Sequence, residues 1–457
     1  MNMSRRTILK GAGALPLAAG NFGMAAQAQT APAAPGATEI PPILFVHGNG
    51  DHAALWITTL WRMESNGVPR ERMLAINFTD PLARADDTKP EPNKSSTEDQ
   101  RRELGEAVKE LKQRTGAARV ALVGNSRGGY PIRAYIKSGG AANVSHAVLC
   151  GVPNHGVYDW DGNLGNEFNG RGPFLRSLNQ GASEVTPGVS FLTLRSDTMD
   201  KYAQPDGAIL GKPGTPTGIG FDGPALNGAA NLVLGAVDHR ETAYSPRAFR
   251  EIFKFIAGRE PERIAITPEA DVRLSGLVTA TPGGIQTNRP VADASVEVFR
   301  VSQDSGERLS GAIHTSKTGA DGRWGPAKVD PAWYLEIVLT SAGSLTTHFY
   351  HSPFPRSSDI VHLRAARPMG PADEGAGSVV LMSRPRGYFG LPRDVVLFDG
   401  RQPSDVKPGV PADSVSTLRL SAAEAGRGVV ALFNQERIVA RAWPASENRI
   451  AVAELTY

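Results

Sequence analysis

At 457 residues the chain is too long for one ordinary domain, and the usual domain size suggests two or three. Its 40% hydrophobic and 21% charged residues, with 50 Gly and 34 Pro, describe a globular, turn-rich protein and argue against fibrous or disordered classes. The formal net charge of +3 is carried by Arg5, Arg6 and Lys10 near the N-terminus. Without them the chain is close to neutral, which speaks against nucleic-acid binding through a basic surface.

In chain order, "SRRTILK" (Ser4 to Lys10) leads into a mildly apolar stretch and then "AQA", Ala26 to Ala28. This pattern resembles a bacterial twin-arginine export signal over 1–28, followed by a linker over 29–40. It implies recognition by the twin-arginine export machinery and a periplasmic or extracellular destination. The apolar stretch contains Gly11, Gly13, Pro16 and Gly20 and is too short to span a bilayer, and no later run is long enough for a transmembrane helix.

From 41 to 258, short apolar runs alternate with amphipathic segments, the pattern of a mostly parallel sheet with helices on both faces. The runs are "PPILFVHG", "ERMLAINF", "RVALVGNS", "SHAVLCGVP", "GVSFLTLRS" and "ANLVLGAVDH". The segment "STEDQRRELGEAVKELKQRTG" places Leu104, Val108 and Leu111 on one helical face. In "SPRAFREIFKFIAG", Ser245 is positioned as N-cap, Pro246 as the first helical residue and Gly258 as terminator. The Asn- and Gly-rich stretch near 157–188, which carries Trp160, Phe168, Phe174 and Leu175, interrupts the pattern as a cap or lid would. Cys150, the only cysteine, sits in the apolar run "HAVLC" and reads as buried packing.

Beyond "GREPERIAITPEADV" the period changes to strand alternation. Residues 272–367 read as a β-sandwich, and after "RPMGPADEGAG" residues 378–457 read as a second β-rich domain. Phe349, Tyr350 and Phe354 fit either the sandwich core or a lipid-facing rim.

The chemistry centres on "VGNSRGG", an apolar strand running into Gly-x-Ser-x-Gly and then a helix, which exposes Ser126 on a tight turn. A serine nucleophile needs a base, and His239, dropped into a loop after a late strand, would emerge at the same carboxyl edge. His155 is the rival histidine and reads as structural. The loop "SDTMDKYAQPDG" offers Asp200 to orient the imidazole, with Asp197 as the alternative, in the order Ser, Asp, His. Oxyanion donors would be the backbone N–H groups of Arg127 and, in "HGNG", of Asn49. "DWDGN" lacks the glycine and distal glutamate of a calcium loop, and "GNGD" lacks the lysine of a phosphate loop, so neither metal nor cofactor is expected.

With "FVHGNGD", "VGNSRGG", "GVPNHG" and "GAVDHRETAYSPRAF" in this order, residues 41–258 resemble the α/β-hydrolases, specifically their bacterial true-lipase branch. The resemblance implies an α/β-hydrolase domain cleaving carboxylic esters, with Ser126, His239 and an aspartate as triad and Asn49 and Arg127 at the oxyanion hole. "LSGLVTA", "VADASVEVFRV" and "TGADGRWGPAKVDPAWYLEIVL" resemble the transthyretin-like or carboxypeptidase-regulatory sandwich. An archaeal lipase similarly joins its hydrolase domain to a lipid-binding β-domain. The competing expectations are a polyester (polyhydroxyalkanoate) depolymerase and, from another class, a non-catalytic lipid-binding or adhesion protein on a hydrolase scaffold.

Overall fold

A computed structural model describes residues 40–207, 209–210 and 214–457. The leader expected over 1–28, and all but the last residue of the expected linker, lie outside the described residues. The six apolar runs form β1 (Ile43–Val46), β2 (Met73–Ala75), β3 (Val120–Asn125), β4 (Val144–Cys150), β5 (Ser190–Ser196) and β6 (Ala230–Leu234). They make one parallel sheet in the order β2-β1-β3-β4-β5-β6. Alternate residues serve opposite faces: Phe45, Val123 and Cys150 pack against Trp56 and Phe249, while Val46, Leu122 and Leu149 pack with Leu104, Val108 and Tyr130.

Helices α1 (Ile57–Ser65), α2 (Thr97–Thr115), α3 (Gly129–Lys137), α4 (Pro173–Leu178), α5 (Glu241–Tyr244) and α6 (Pro246–Ala257) complete this α/β-hydrolase layer. The ends of α2 are written in its sequence. Ser96 Oγ accepts from Asp99 N at 3.1 Å, the Asp99 carboxylate accepts from Ser96 N at 2.9 Å, and Gly116 closes the helix at a φ of 69°. Ser245 and Gly258 do the same for α6. By contrast, α1 is buried on its polar side as well as along its Ile57, Leu60 and Trp61 stripe, Thr58, Thr59 and Arg62 included. It is covered on its outer side too: Trp61 donates from its indole N–H to the Ser357 carbonyl at 2.9 Å and meets the Phe354 ring edge-on.

That contact belongs to a core that runs continuously from the parallel sheet into the β-rich region that follows. There a seven-stranded sheet has the order Val415–Leu420, Ser378–Ser383, Arg449–Glu454, Thr346–His351, Tyr334–Thr340, Ser295–Val301 and His314–Lys317. The strand Arg449–Glu454 lies parallel to Thr346–His351 on one side and to Ser378–Ser383 on the other. Strands from both sides of "RPMGPADEGAG" therefore share one sheet, a long-range pairing that local pattern does not encode. Phe349, Tyr350 and Phe354 are buried in this region.

Strand order alone locates a crevice. The chain leaves β1 toward β2 on one side and returns through β3 on the other, so the connections leaving the carboxyl ends of these two paired strands part there, where α/β sheets accept ligands. The turn after β3 closes against β1 so tightly that a Cβ on Gly128 would lie 2.4 Å from the His47 carbonyl oxygen and 2.8 Å from that of Val46. Gly128→Ala should accordingly lower the unfolding free energy by about 1–3 kcal/mol in urea denaturation, the usual range for overpacking.

Candidate active site

At the end of β3 the backbone of Ser126 has a φ of 53°, a left-handed conformation rare for a residue with a side chain. Glycines make the turn possible: a Cβ at Gly129 would strike Val152, and one at Gly48, in "HGNG", would stand 2.9 Å from Ser126 Cβ. The serine is thus held against the β1 turn. His47 holds that turn from beneath, its Nε2 accepting from Phe78 N at 3.1 Å and its Nδ1 bonded to the Gly48 carbonyl at 2.9 Å. Burial keeps His47 neutral, pushing its pKa down to about 4 against the pull of Asp51.

The loops after β5 and β6 meet at Asp200 and His239, both buried. His239 Nδ1 donates to Asp200 Oδ2 at 2.8 Å, and Tyr202 N donates to Asp200 Oδ1 at 2.8 Å. With Nδ1 protonated, Nε2 keeps its lone pair, and among the described residues it has no hydrogen-bond partner. Asp197 takes a different part. Burial opposes its charge, but hydrogen bonds from Ala236 N, Thr198 N and the Ser196 hydroxyl outweigh that and hold the carboxyl below the usual range. Of the two aspartates, Asp200 is the one on the imidazole.

Asn125, the residue before the serine, donates from Nδ2 to the carbonyls of Cys150 at 2.9 Å and His239 at 3.4 Å, which ties the histidine loop to the serine turn. Arg240 reaches Asp51 at 3.5 Å, joining the same loop to the residue after "HGNG". Above Ser126 opens a cavity of about 270 Å³ lined by Asn49, Pro153, Val157, Tyr158, Trp160, Phe168, Tyr202 and Leu210. The Tyr158 and Trp160 rings pack 4.8 Å apart on its wall. A largely apolar pocket with the half-buried Ser126 hydroxyl beside it suits a small acyl group.

Asn49 is held by its side chain, Oδ1 accepting from Ala83 N at 2.8 Å. The Arg127 side chain points away from the cavity and is fully buried. It ion-pairs with buried Glu167 and donates to the Pro81 carbonyl at 3.0 Å and the Ser95 carbonyl at 2.6 Å. Its charge is spent inside the protein. Glu167 was not distinguishable in the sequence: a buried arginine calls for a carboxylate, but the choice among 46 acidic residues depends on the folded path of the cap segment. His155 is engaged at both ring nitrogens, by the Gly223 carbonyl and Glu184. Asp159 and Asp161, from "DWDGN", are both paired with Arg171.

Residues 42–190 match the family model for palmitoyl protein thioesterase, and residues 270–368 match the model for the lipase C-terminal domain. No curated protein matches the sequence. Among solved structures, a lipase B of Aspergillus fumigatus is 14% identical with a TM-score of 0.36, the alignment covering 49% of this chain and 54% of that one. This chain thus spans about half the length of that protein. A lipase of Bacillus licheniformis is 19% identical with a TM-score of 0.34, covering 48% of this chain and 91% of that one. A phospholipase of Legionella pneumophila is 13% identical with a TM-score of 0.32, covering 71% and 93%. The two family models support a hydrolase of the lipase and esterase type.

Behind the serine turn, the Asp87 carboxyl is pushed up to about 7 by burial and then by the charge of Glu167, against the attraction of Arg127 and Arg84. Its folded pKa exceeds the ordinary 3.8, so the protonated form favours folding. That contribution is complete below pH 3.8 and is lost as pH rises through about 7. Unfolding measured across this window should show wild-type stability falling with pH relative to Asp87→Asn; parallel curves would contradict it.

Proposed function

We propose that this chain is an exported serine hydrolase of carboxylic esters, a lipase or esterase that works through an acyl-enzyme. His239 Nε2 takes the Ser126 proton as Oγ attacks the ester carbonyl carbon. The carbonyl π electrons move to oxygen, and the oxyanion is met by the N–H groups of Asn49 and Arg127. Collapse breaks the bond to the alcohol, which leaves with the proton from Nε2, while Asp200 stabilises the transient imidazolium. Water then repeats the sequence on the acyl-enzyme, releasing the acid and restoring Ser126. These steps need no cofactor. The cavity walled by Tyr158, Trp160 and Phe168 takes the acyl chain.

This reading is carried by one observation: a buried Asp200–His239 pair with Nε2 unengaged, tied through Asn125 to a serine in a left-handed turn beneath an apolar pocket. Wild-type protein should hydrolyse p-nitrophenyl esters and be labelled by a fluorophosphonate at Ser126. Ser126→Ala should fold normally, fail to label and lose kcat on the order of 10⁶-fold, as nucleophile removal does in a serine-triad enzyme. Full activity in that variant would overturn the mechanism. Triglyceride emulsion and polyester film, offered side by side, separate a lipase from a polymer depolymerase.

The leader is proposed to send the folded enzyme through the twin-arginine pathway to the periplasm or beyond. Replacing Arg5 and Arg6 together by lysine should leave unprocessed precursor in the cytoplasm. Mature enzyme outside the cytoplasm in that variant would refute this route.

A further inference from the structure

Strand β6 lies at the edge of the parallel sheet, with Ala230 to Val233 exposed, so the loop that follows it has no further strand beside it. That loop carries His239. Besides Asn125, Ser196, Asp197 and Asp51 of the parallel-sheet layer, residues of the far C-terminal region hold it. Arg384, 146 residues on from Asp238, is buried and donates from Nη1 to Asp238 Oδ2 at 2.9 Å. From Nη2 it donates to Glu241 Oε1 at 2.6 Å and to Tyr244 Oη at 2.8 Å. Tyr388 N donates to the same Asp238 oxygen at 2.8 Å, and Arg393 bridges Glu241 Oε2 at 2.7 Å and the Ala236 carbonyl at 3.1 Å. His239 therefore sits between residues anchored on both of its sides. The acid loop is held from the same region: Lys201, next to Asp200, donates to the Ala412 carbonyl at 2.9 Å with its Nζ 4.0 Å from the centre of the Tyr388 ring.

We propose that the C-terminal region is part of the catalytic apparatus, with Arg384 a positioning residue that sets the His239 loop through Asp238 and Glu241 while Lys201 docks the Asp200 loop. The proposal rests on the Ser126–His239–Asp200 reading given above. With the Tyr388 and Tyr457 carbonyls, the planar guanidinium of Arg384 serves five acceptors in fixed directions, which an ammonium group cannot reproduce. Misplacing a base by about 1 Å is enough to cost on the order of 10²-fold in rate.

The test uses the full chain, following p-nitrophenyl ester kinetics, the rate of fluorophosphonate labelling and thermal unfolding. Arg384→Lys should lower kcat and labelling rate on the order of 10²-fold with KM nearly unchanged, because the acyl pocket is untouched. Lys201→Met should lower kcat by about 10-fold, a smaller displacement of the acid. Asp373→Asn serves as the control: it removes the buried carboxylate that pairs with the partly exposed Arg367 and Arg419, away from the His239 loop, so it should lower Tm and keep kcat. Wild-type kcat and labelling in both Arg384→Lys and Lys201→Met would overturn the proposal, as would loss of kcat in Asp373→Asn in step with its Tm. If Arg384→Lys does not fold, Lys201→Met decides alone. A wild-type chain that does not label refutes the Ser126 reading and the proposal with it, whereas variants that label as fast as wild type refute only the positioning.

Discussion

The left-handed backbone of Ser126 is the constraint from which the site is built. Such a conformation costs of the order of 1–3 kcal/mol and persists only where the surroundings over-determine it. Here they do so by closeness. The β1 turn, the serine turn and the start of α3 touch at positions where Gly48, Gly128 and Gly129 leave no room for a methyl group. The same contacts bring "HGNG" alongside Ser126, so the residues proposed as nucleophile and oxyanion donors are fixed together.

Buried charge then fixes what packing leaves free. Arg127 with Glu167, and Arg384 with Asp238, are ion pairs with side chains almost wholly removed from water. Pairs of this kind add little net stability, because desolvation offsets their attraction, but they tolerate few alternative geometries. One pair locks the segment around Pro81 and Ser95 and the cap segment to the serine turn. The other locks the histidine loop to a sheet formed from the end of the chain. Each arginine stands beside a group of the candidate site rather than within it.

Much of this was legible from local pattern. Strands buried on both faces, such as β1 and β3, appear as continuous apolar runs, and each of the six strands of the parallel sheet lies in one of the apolar runs of the sequence. The caps of α6 are formed by neighbouring residues, so Ser245 and Gly258 announce them. That the polar side of α1 is buried was not legible, because Arg62 there is satisfied by the carbonyls of Tyr244 and Ile264, far along the chain. Asp197 and Asp200 were left open for a related reason: both follow β5, and only the folded loops assign one to the backbone N–H groups of Thr198 and Ala236 and the other to the imidazole.

By itself, the sequence determined the parallel sheet, the serine turn at its carboxyl edge, and the chain order of Ser126, the candidate aspartates and His239, since each of these motifs depends on residues within a few positions of one another. Tertiary structure alone decided which aspartate meets His239, where the Arg127 charge is neutralised, and that strands from either side of 368–377 join one sheet against the hydrolase layer. Those outcomes are contacts between segments tens to hundreds of residues apart. They are selected by shape and by the need to pair buried charge, and neither condition leaves a local trace along the chain.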